Sequence, residues 1–147
     1  MDSTSINKIG LIALLCFVLS ACVRPSNFLK YPSALQVSLP DARMKYKQGW
    51  KSAKEASLLF YDRIAIDDEK AGFFQTTWKV HQVGLIIGTP VKRSRLLVEV
   101  ANKAPFRLNL SLEQQAFSME LGRWVSDTPD HKRMEEIKER LRARLIF

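Results

Sequence analysis

Hydrophobic and polar residues alternate most regularly in the second half of the chain. There Leu96, Val98 and Val100 interleave with Arg95, Leu97 and Glu99, and Phe106, Leu108, Leu110 and Leu112 interleave with Arg107, Asn109, Ser111 and Glu113. A period of two belongs to strands with one dry and one wet face, so these stretches predict an antiparallel pair. Phe117, Met119 and Leu121 continue the second pattern, and that strand either runs long or bends near Gln114 and Gln115. Both apolar sets share a face only if paired residue numbers sum to an even value, because a one-residue slip exposes every apolar side chain. A sum of 206 sets Glu99 opposite Arg107 and Arg93 opposite Glu113, whereas 208 sets only Arg95 opposite Glu113. The expected register is 206, although each charge pair contributes only about 0.2–1 kcal/mol.

Two segments carry the helical period instead. Met134, Ile137, Leu141 and Leu145 recur at steps of three and four behind Asp127 or Thr128 as a cap, with Pro129 in the first turn and Asp130 near the positive end. Earlier, Tyr46, Trp50, Ala53, Ala56 and Phe60 form a stripe that Asp41 is placed to cap, with Gly49 a helix-weakening residue in its middle. Between them, Leu58–Ile66 is rich in strand formers, 67–72 is a polar turn ending in Gly72, and Phe74, Thr76, Trp78 and Val80 line one face of a following strand. The expected architecture is α+β: a two-layer domain of about four antiparallel strands covered by an N-terminal and a C-terminal helix.

The segment 81–90 is less regular, with Gly84 and Gly88 bracketing Leu85, Ile86 and Ile87. Three consecutive apolar residues in an extended chain cannot all face one core. At least one is expected to face solvent as a partner contact; the competing reading buries the segment on both sides or under a helix.

The N-terminal pattern decides where the rest of the chain resides. Ile9 to Ala21 is an apolar run of 13 residues, the length of a signal-peptide core and short of the roughly 20 a spanning helix needs. It ends in Leu19-Ser20-Ala21-Cys22, which resembles the lipobox of bacterial lipoproteins, with small residues at the cleavage point and a cysteine beyond it. That resemblance implies removal of residues 1–21, diacylglyceryl attachment to Cys22 and a lipidated mature N-terminus. Val23 in place of aspartate after that cysteine implies, by enteric-type rules, sorting to the outer membrane. Residues 22–40, with Pro25, Pro32 and Pro40, read as an extended lipidated tether, and 41–147 as a single domain.

Charge and cysteine usage narrow the class of partner. Asp2 and Lys8 leave with the signal, so the net charge of +8 is kept in the mature chain. A basic surface is drawn to anionic envelope material, and export removes nucleic acid as a partner. Cys16 leaves with the signal and Cys22 is consumed by lipid, so no thiol remains for a disulfide or a cysteine metal site.

Candidate chemistry is sparse. His81 and His131 stand apart without partners at triad or metal-ligand spacing, Asp67-Asp68-Glu69 reads as a solvated turn, and no phosphate loop or nucleophile elbow occurs. The reading is of a non-enzyme without cofactor or metal. Arg93, Arg95, Arg107 and Arg123 are the candidate anion-binding set, against the plainer expectation that they bridge to Glu99 and Glu113. Trp50, Trp78 and Trp124 read as core or core-edge packing more readily than as a ligand shelf.

The order of a Gly-Phe-Phe-Gln-Thr-Thr-Trp strand, an Arg-Ser-Arg-Leu strand and a final helix over residues 45–147 resembles the small helix-and-sheet domains of outer-membrane assembly lipoproteins, such as the third-named subunit of the β-barrel assembly machine. The resemblance implies a lipid-anchored periplasmic scaffold or assembly factor that binds another envelope protein. The alternative is a binding module for an anionic envelope ligand, cell-wall polymer or lipopolysaccharide, through a basic sheet face.

Overall fold

The computed structural model describes residues 34–81 and 91–145. The elements in chain order are β1 (Leu35–Ser38), α1 (Tyr46–Ser57), β2 (Ile64–Asp68), β3 (Phe73–Thr76), β4 (Lys79–His81), β5 (Lys92–Lys103), β6 (Phe106–Ser118), β7 (Arg123–Asp127) and α2 (His131–Leu145). Strands and helices together make the α+β class, but the sheet has seven antiparallel strands rather than about four. The order is β1-β6-β5-β3-β2, with β4 also on β5 and β7 also on β6.

Each extra strand has a local cause. β1 lies inside the stretch read as tether, where its alternation is masked by flanking prolines; it pairs with β6 from Leu35 opposite Leu112 to Ser38 opposite Asn109. The fold therefore reaches at least as far back as Leu35, and Leu39 beyond it is buried. The expected strand 73–80 is two strands, because the register on β5 shifts between Gln75 opposite Leu97 and Lys79 opposite Ser94. The long pattern through Leu121 does not bend at Gln114 and Gln115. It turns back after Ser118, with Gly122 at φ +59° in the left-handed region that glycine tolerates.

The apolar faces meet as the alternation requires, with Leu96, Val98 and Val100 opposite Leu112, Leu110 and Leu108. The register is nevertheless 208, not 206: Arg95 faces Glu113, Glu99 faces Asn109 and Arg93 faces Gln115. Both registers keep the core face dry, so only the turn and the charges distinguish them. The connection is two residues, Ala104 and Pro105, after Lys103 opposite Phe106, and a bulge between Val100 and Asn102 carries the pairing to 208. Turn geometry outweighs one charge pair.

Both helices cover the same sheet face. Trp50, Ala53 and Ala56 of α1 and Met134, Ile137, Leu141 and Leu145 of α2 join Phe74, Leu96, Val98, Phe106, Leu108, Leu110 and Leu112 in one core. Trp50 meets Phe74 edge to face at 5.2 Å between ring centres. Gly49 is the price of close packing in this layer: a β-carbon there would lie 2.4 Å from Cδ1 and Cε1 of the Phe106 ring. Phe60 falls beyond the end of α1, half-buried against the core.

The expected caps are replaced. Asp41 does not cap α1, which starts at Tyr46; its carboxylate instead takes Arg107 Nε at 2.7 Å and Nη2 at 3.1 Å. At α2 the cap is Asp130, whose Oδ1 accepts the Arg133 backbone N–H at 3.2 Å, while Asp127 is drawn to Lys92 and Gln114. Asp68 Oδ1 accepts the Ala71 N–H at 2.8 Å inside the β2–β3 turn, and Asp67 pairs with Lys54 at 2.6 Å. The polar turn expected over 67–72 therefore starts later: Asp67 and Asp68 end β2 opposite Phe74 and Phe73, and only Glu69 of the acidic triplet lies in the turn.

Candidate functional site

No helix lies on the second face of the sheet among the described residues. The odd-numbered residues of β5 and β6 point there: Arg93, Arg95, Leu97 and Glu99 beside Gln115, Glu113, Ser111 and Asn109. Trp124 joins them, because it pairs with Phe117. The Arg93 guanidinium carbon is 4.6 Å from the Trp78 ring centre and 4.2 Å from that of Trp124, and Arg95 is 4.5 Å from Trp78. Trp124, Arg93, Trp78 and Arg95 therefore form a row of alternating indoles and guanidinium groups. Each such contact contributes about 0.5–2 kcal/mol according to how far it is desolvated. Long planar side chains laid over a sheet exclude water much as a helix does. Leu97 beneath this face is only 3% exposed.

The two arginines end differently. Arg95 pairs with the Glu113 carboxylate. Arg93 donates from Nε and Nη2 to the neutral Gln115 Oε1, at 2.9 and 2.7 Å. Burial, then repulsion from Arg95, lowers the Arg93 pKa below its ordinary value. Arg107 lies on the same face at the far end of β6 and is held by Asp41; that contact lowers the carboxyl pKa and raises the guanidinium pKa. Arg123 does not join the set: it is exposed and opposite Ser118, one step from Trp124, which sends it to the other face. The expected bridging holds for Arg95 and Glu113, while Arg93 and Arg107 find Gln115 and Asp41. Trp50 is core, as expected, and Trp78 and Trp124 are half-buried against the arginines.

A polar cleft of about 440 Å³ opens on the helix-covered side, lined by His81, Lys92, Gln114, Thr128, Asp130 and Arg133. His81 Nε2 is 2.7 Å from Ser94 Oγ, and Tyr61 Oη is 3.2 Å from the same oxygen. Burial raises the Tyr61 pKa. Sequence reasoning placed none of these three together, because only the pairing of His81 with Lys92 sets the imidazole beside Ser94. Ser94 has no exposed surface, and its hydroxyl ties Tyr61 to His81 inside the fold. Lys92 and Asp127 pair at 2.7 Å. Burial pushes the Asp127 pKa up, but bonds from Lys92, Gln114 and the Thr128 backbone outweigh it and leave the carboxyl below its ordinary value.

Burial, then the charges of Arg133 and Lys79, holds the His81 pKa below its ordinary 6.5, with Asp130 pulling the other way. The unfolded chain therefore takes up this proton first as pH falls. The His81 contribution to stability is full above 6.5 and is lost as pH drops through 6.5 towards the folded value. Denaturant unfolding at about pH 7.5 and 5.5 should show lower stability at the acid end, and His81→Gln should flatten that difference. An unchanged difference in the variant would assign it to other groups.

Cys22 and the triplet Leu85, Ile86 and Ile87 lie outside the described residues, as do Gly84 and Gly88. Among the described residues no helix is long and apolar enough to cross a membrane, and no three His, Cys, Asp or Glu side chains are grouped to hold a metal ion. No family model matches this chain, and no curated protein is detectably similar to it.

Proposed function

We propose that this chain is a lipid-anchored scaffold or assembly factor of a bacterial outer membrane, facing the periplasm and acting by binding another envelope protein. The lipobox-like Leu19-Ser20-Ala21-Cys22 supports the anchor. The observation that carries the binding role is the sheet edge at β2, the last strand of its side among the described residues, where Ile66 is 46% exposed. An edge strand presents unpaired backbone groups, and an extended segment of a partner adds to it as a further strand. Leu85, Ile86 and Ile87 are the second proposed contact. Capture of one membrane protein by the wild-type chain from detergent-solubilised membranes should be lost in Ile66→Lys, with the melting temperature nearly unchanged because an exposed site has little packing to lose. Equal capture by both proteins excludes this edge.

The second reading, an anionic envelope ligand, is favoured by Arg93, whose guanidinium donates from Nε and Nη2 to the neutral amide oxygen of Gln115. It is tested by sedimentation with purified cell wall and with lipopolysaccharide. Arg93→Gln removes the charge, and unchanged sedimentation of that variant refutes the reading.

A further inference from the structure

The β6–β7 turn is the most exposed apolar feature among the described residues. Met119 is 88% exposed and Leu121 55% exposed at its crown. A β-carbon at Gly122 would meet nothing within 4 Å, so the turn is open at that position. Directly behind the crown, Phe117 and Trp124 pair across the strands with ring centres 5.5 Å apart. Arg123 is exposed on the opposite face of the hairpin, and Arg93 stacks on Trp124. Glu120 is the opposing charge of the turn, and the chain as a whole carries +8.

The direction of β1 supplies an independent observation. β1 starts at Leu35 opposite Leu112 and ends at Ser38 opposite Asn109, while β6 runs from Phe106 to Ser118. The chain therefore enters the sheet from the half of β6 that leads to the crown. From Cys22 to Leu35 is 13 residues, at most about 45 Å when fully extended. A lipid on Cys22 thus holds the crown end of the sheet within reach of the bilayer, and raises the local concentration of that surface around it.

We propose that the β6–β7 crown inserts Met119 and Leu121 into the interface of the bilayer that holds the anchor, with Trp124 at headgroup depth and Arg123 and Arg93 against anionic headgroups. The proposal rests on lipid attachment at Cys22. Along the hairpin the apolar crown is followed by Arg123, one step nearer the crown than the pair of Phe117 and Trp124, and then by Arg93 stacked on Trp124, so an arginine stands on either side of the aromatic pair at the headgroup boundary. Burying two side chains contributes too little to hold a protein on a membrane unaided, and the anchor makes a small contribution sufficient. The consequence is orientation: the β2–β3 turn, at the opposite end of the sheet, faces away from the bilayer.

The test is depth-dependent quenching on the membrane-purified chain reconstituted into vesicles containing brominated phosphatidylglycerol. Met119→Cys and, as control, Lys70→Cys in the β2–β3 turn are each labelled with a thiol-reactive fluorophore. The label at 119 should be quenched severalfold more than the label at 70. Met119→Cys combined with Leu121→Asp should lose most of that difference, as should vesicles of brominated phosphatidylcholine alone. Equal quenching at both positions overturns the insertion. Shielding of the 119 label from lipid and from an aqueous quencher alike, seen only when envelope proteins are added, overturns it in favour of a protein partner. The mass of the labelled chain reads the anchor separately: an unmodified Cys22 takes up a further fluorophore, as does Cys16 where residues 1–21 are retained, and either excess refutes lipid attachment whatever the label at 119 reports.

Discussion

Phe106→Ala should lower the stability of this domain by about 3–5 kcal/mol, the usual cost of emptying a buried aromatic site. The melting temperature of a domain this size should then fall by roughly 20 °C. Phe106 is 1% exposed and touches Tyr46 edge to face, with ring centres 6.0 Å apart, while its ring lies over the bare backbone of Gly49. That last contact gives the prediction a sharper form. Gly49→Ala would ordinarily stabilise a helix by about 1 kcal/mol. Here the added carbon meets the Phe106 ring, and overpacking of this kind costs about 1–3 kcal/mol, so the single variant should be less stable than wild type. In the Phe106→Ala background the obstruction is gone, and Gly49→Ala should become neutral or stabilising. A double-mutant cycle by denaturant unfolding reads the coupling directly. If Gly49→Ala costs the same in both backgrounds, the close approach of α1 to β6 is not what glycine provides.

Cys22→Ser should abolish acylation of this chain and the lipid-mediated attachment it provides, leaving residues 1–21 in place. A single buried acyl chain binds only marginally, but each methylene contributes roughly 0.8 kcal/mol, so two or three chains on one cysteine hold effectively without release. The proposed crown contact is too small to compensate. Mass spectrometry of the mature N-terminal peptide of the wild type should find a chain that starts at Cys22 and carries the mass of its acyl groups. A peptide retaining residues 1–21 with an unmodified thiol would remove the anchor from the proposal.

The proposed anchor also sets the scale on which the domain works. With β1 beginning at Leu35, the span from Cys22 to the sheet is 13 residues, shorter than the tether ending at Pro40 that the prolines indicate. On the proposed reading the anchor would keep the domain within that span of the surface, and the β2 edge would be the part offered to a partner.

The α2 stripe was legible because its period is local: Met134, Ile137, Leu141 and Leu145 are the side chains that the helix buries. The dry face of β5 and β6 was legible for the same reason, since alternation states which residues share a face whatever lies opposite. The number of strands was not, because β1, β4 and β7 are short and are defined by pairing with β5 or β6 rather than by long patterns of their own. Gly49 reads as a defect in sequence and becomes a contact only when Phe106 arrives from a strand more than fifty residues away.

What the sequence by itself determined is therefore what a few neighbouring residues can specify: the two helix stripes, the shared face of Leu96, Val98, Val100, Leu108, Leu110 and Leu112, and a cysteine set behind a short apolar run. Tertiary structure alone decided the register of 208, the row of Trp124, Arg93, Trp78 and Arg95, and the meeting of His81 with Ser94. Each of these depends on which strands are neighbours and by how much they are offset. That offset is set by a two-residue connection and a bulge, whose effect on distant side chains no local pattern carries.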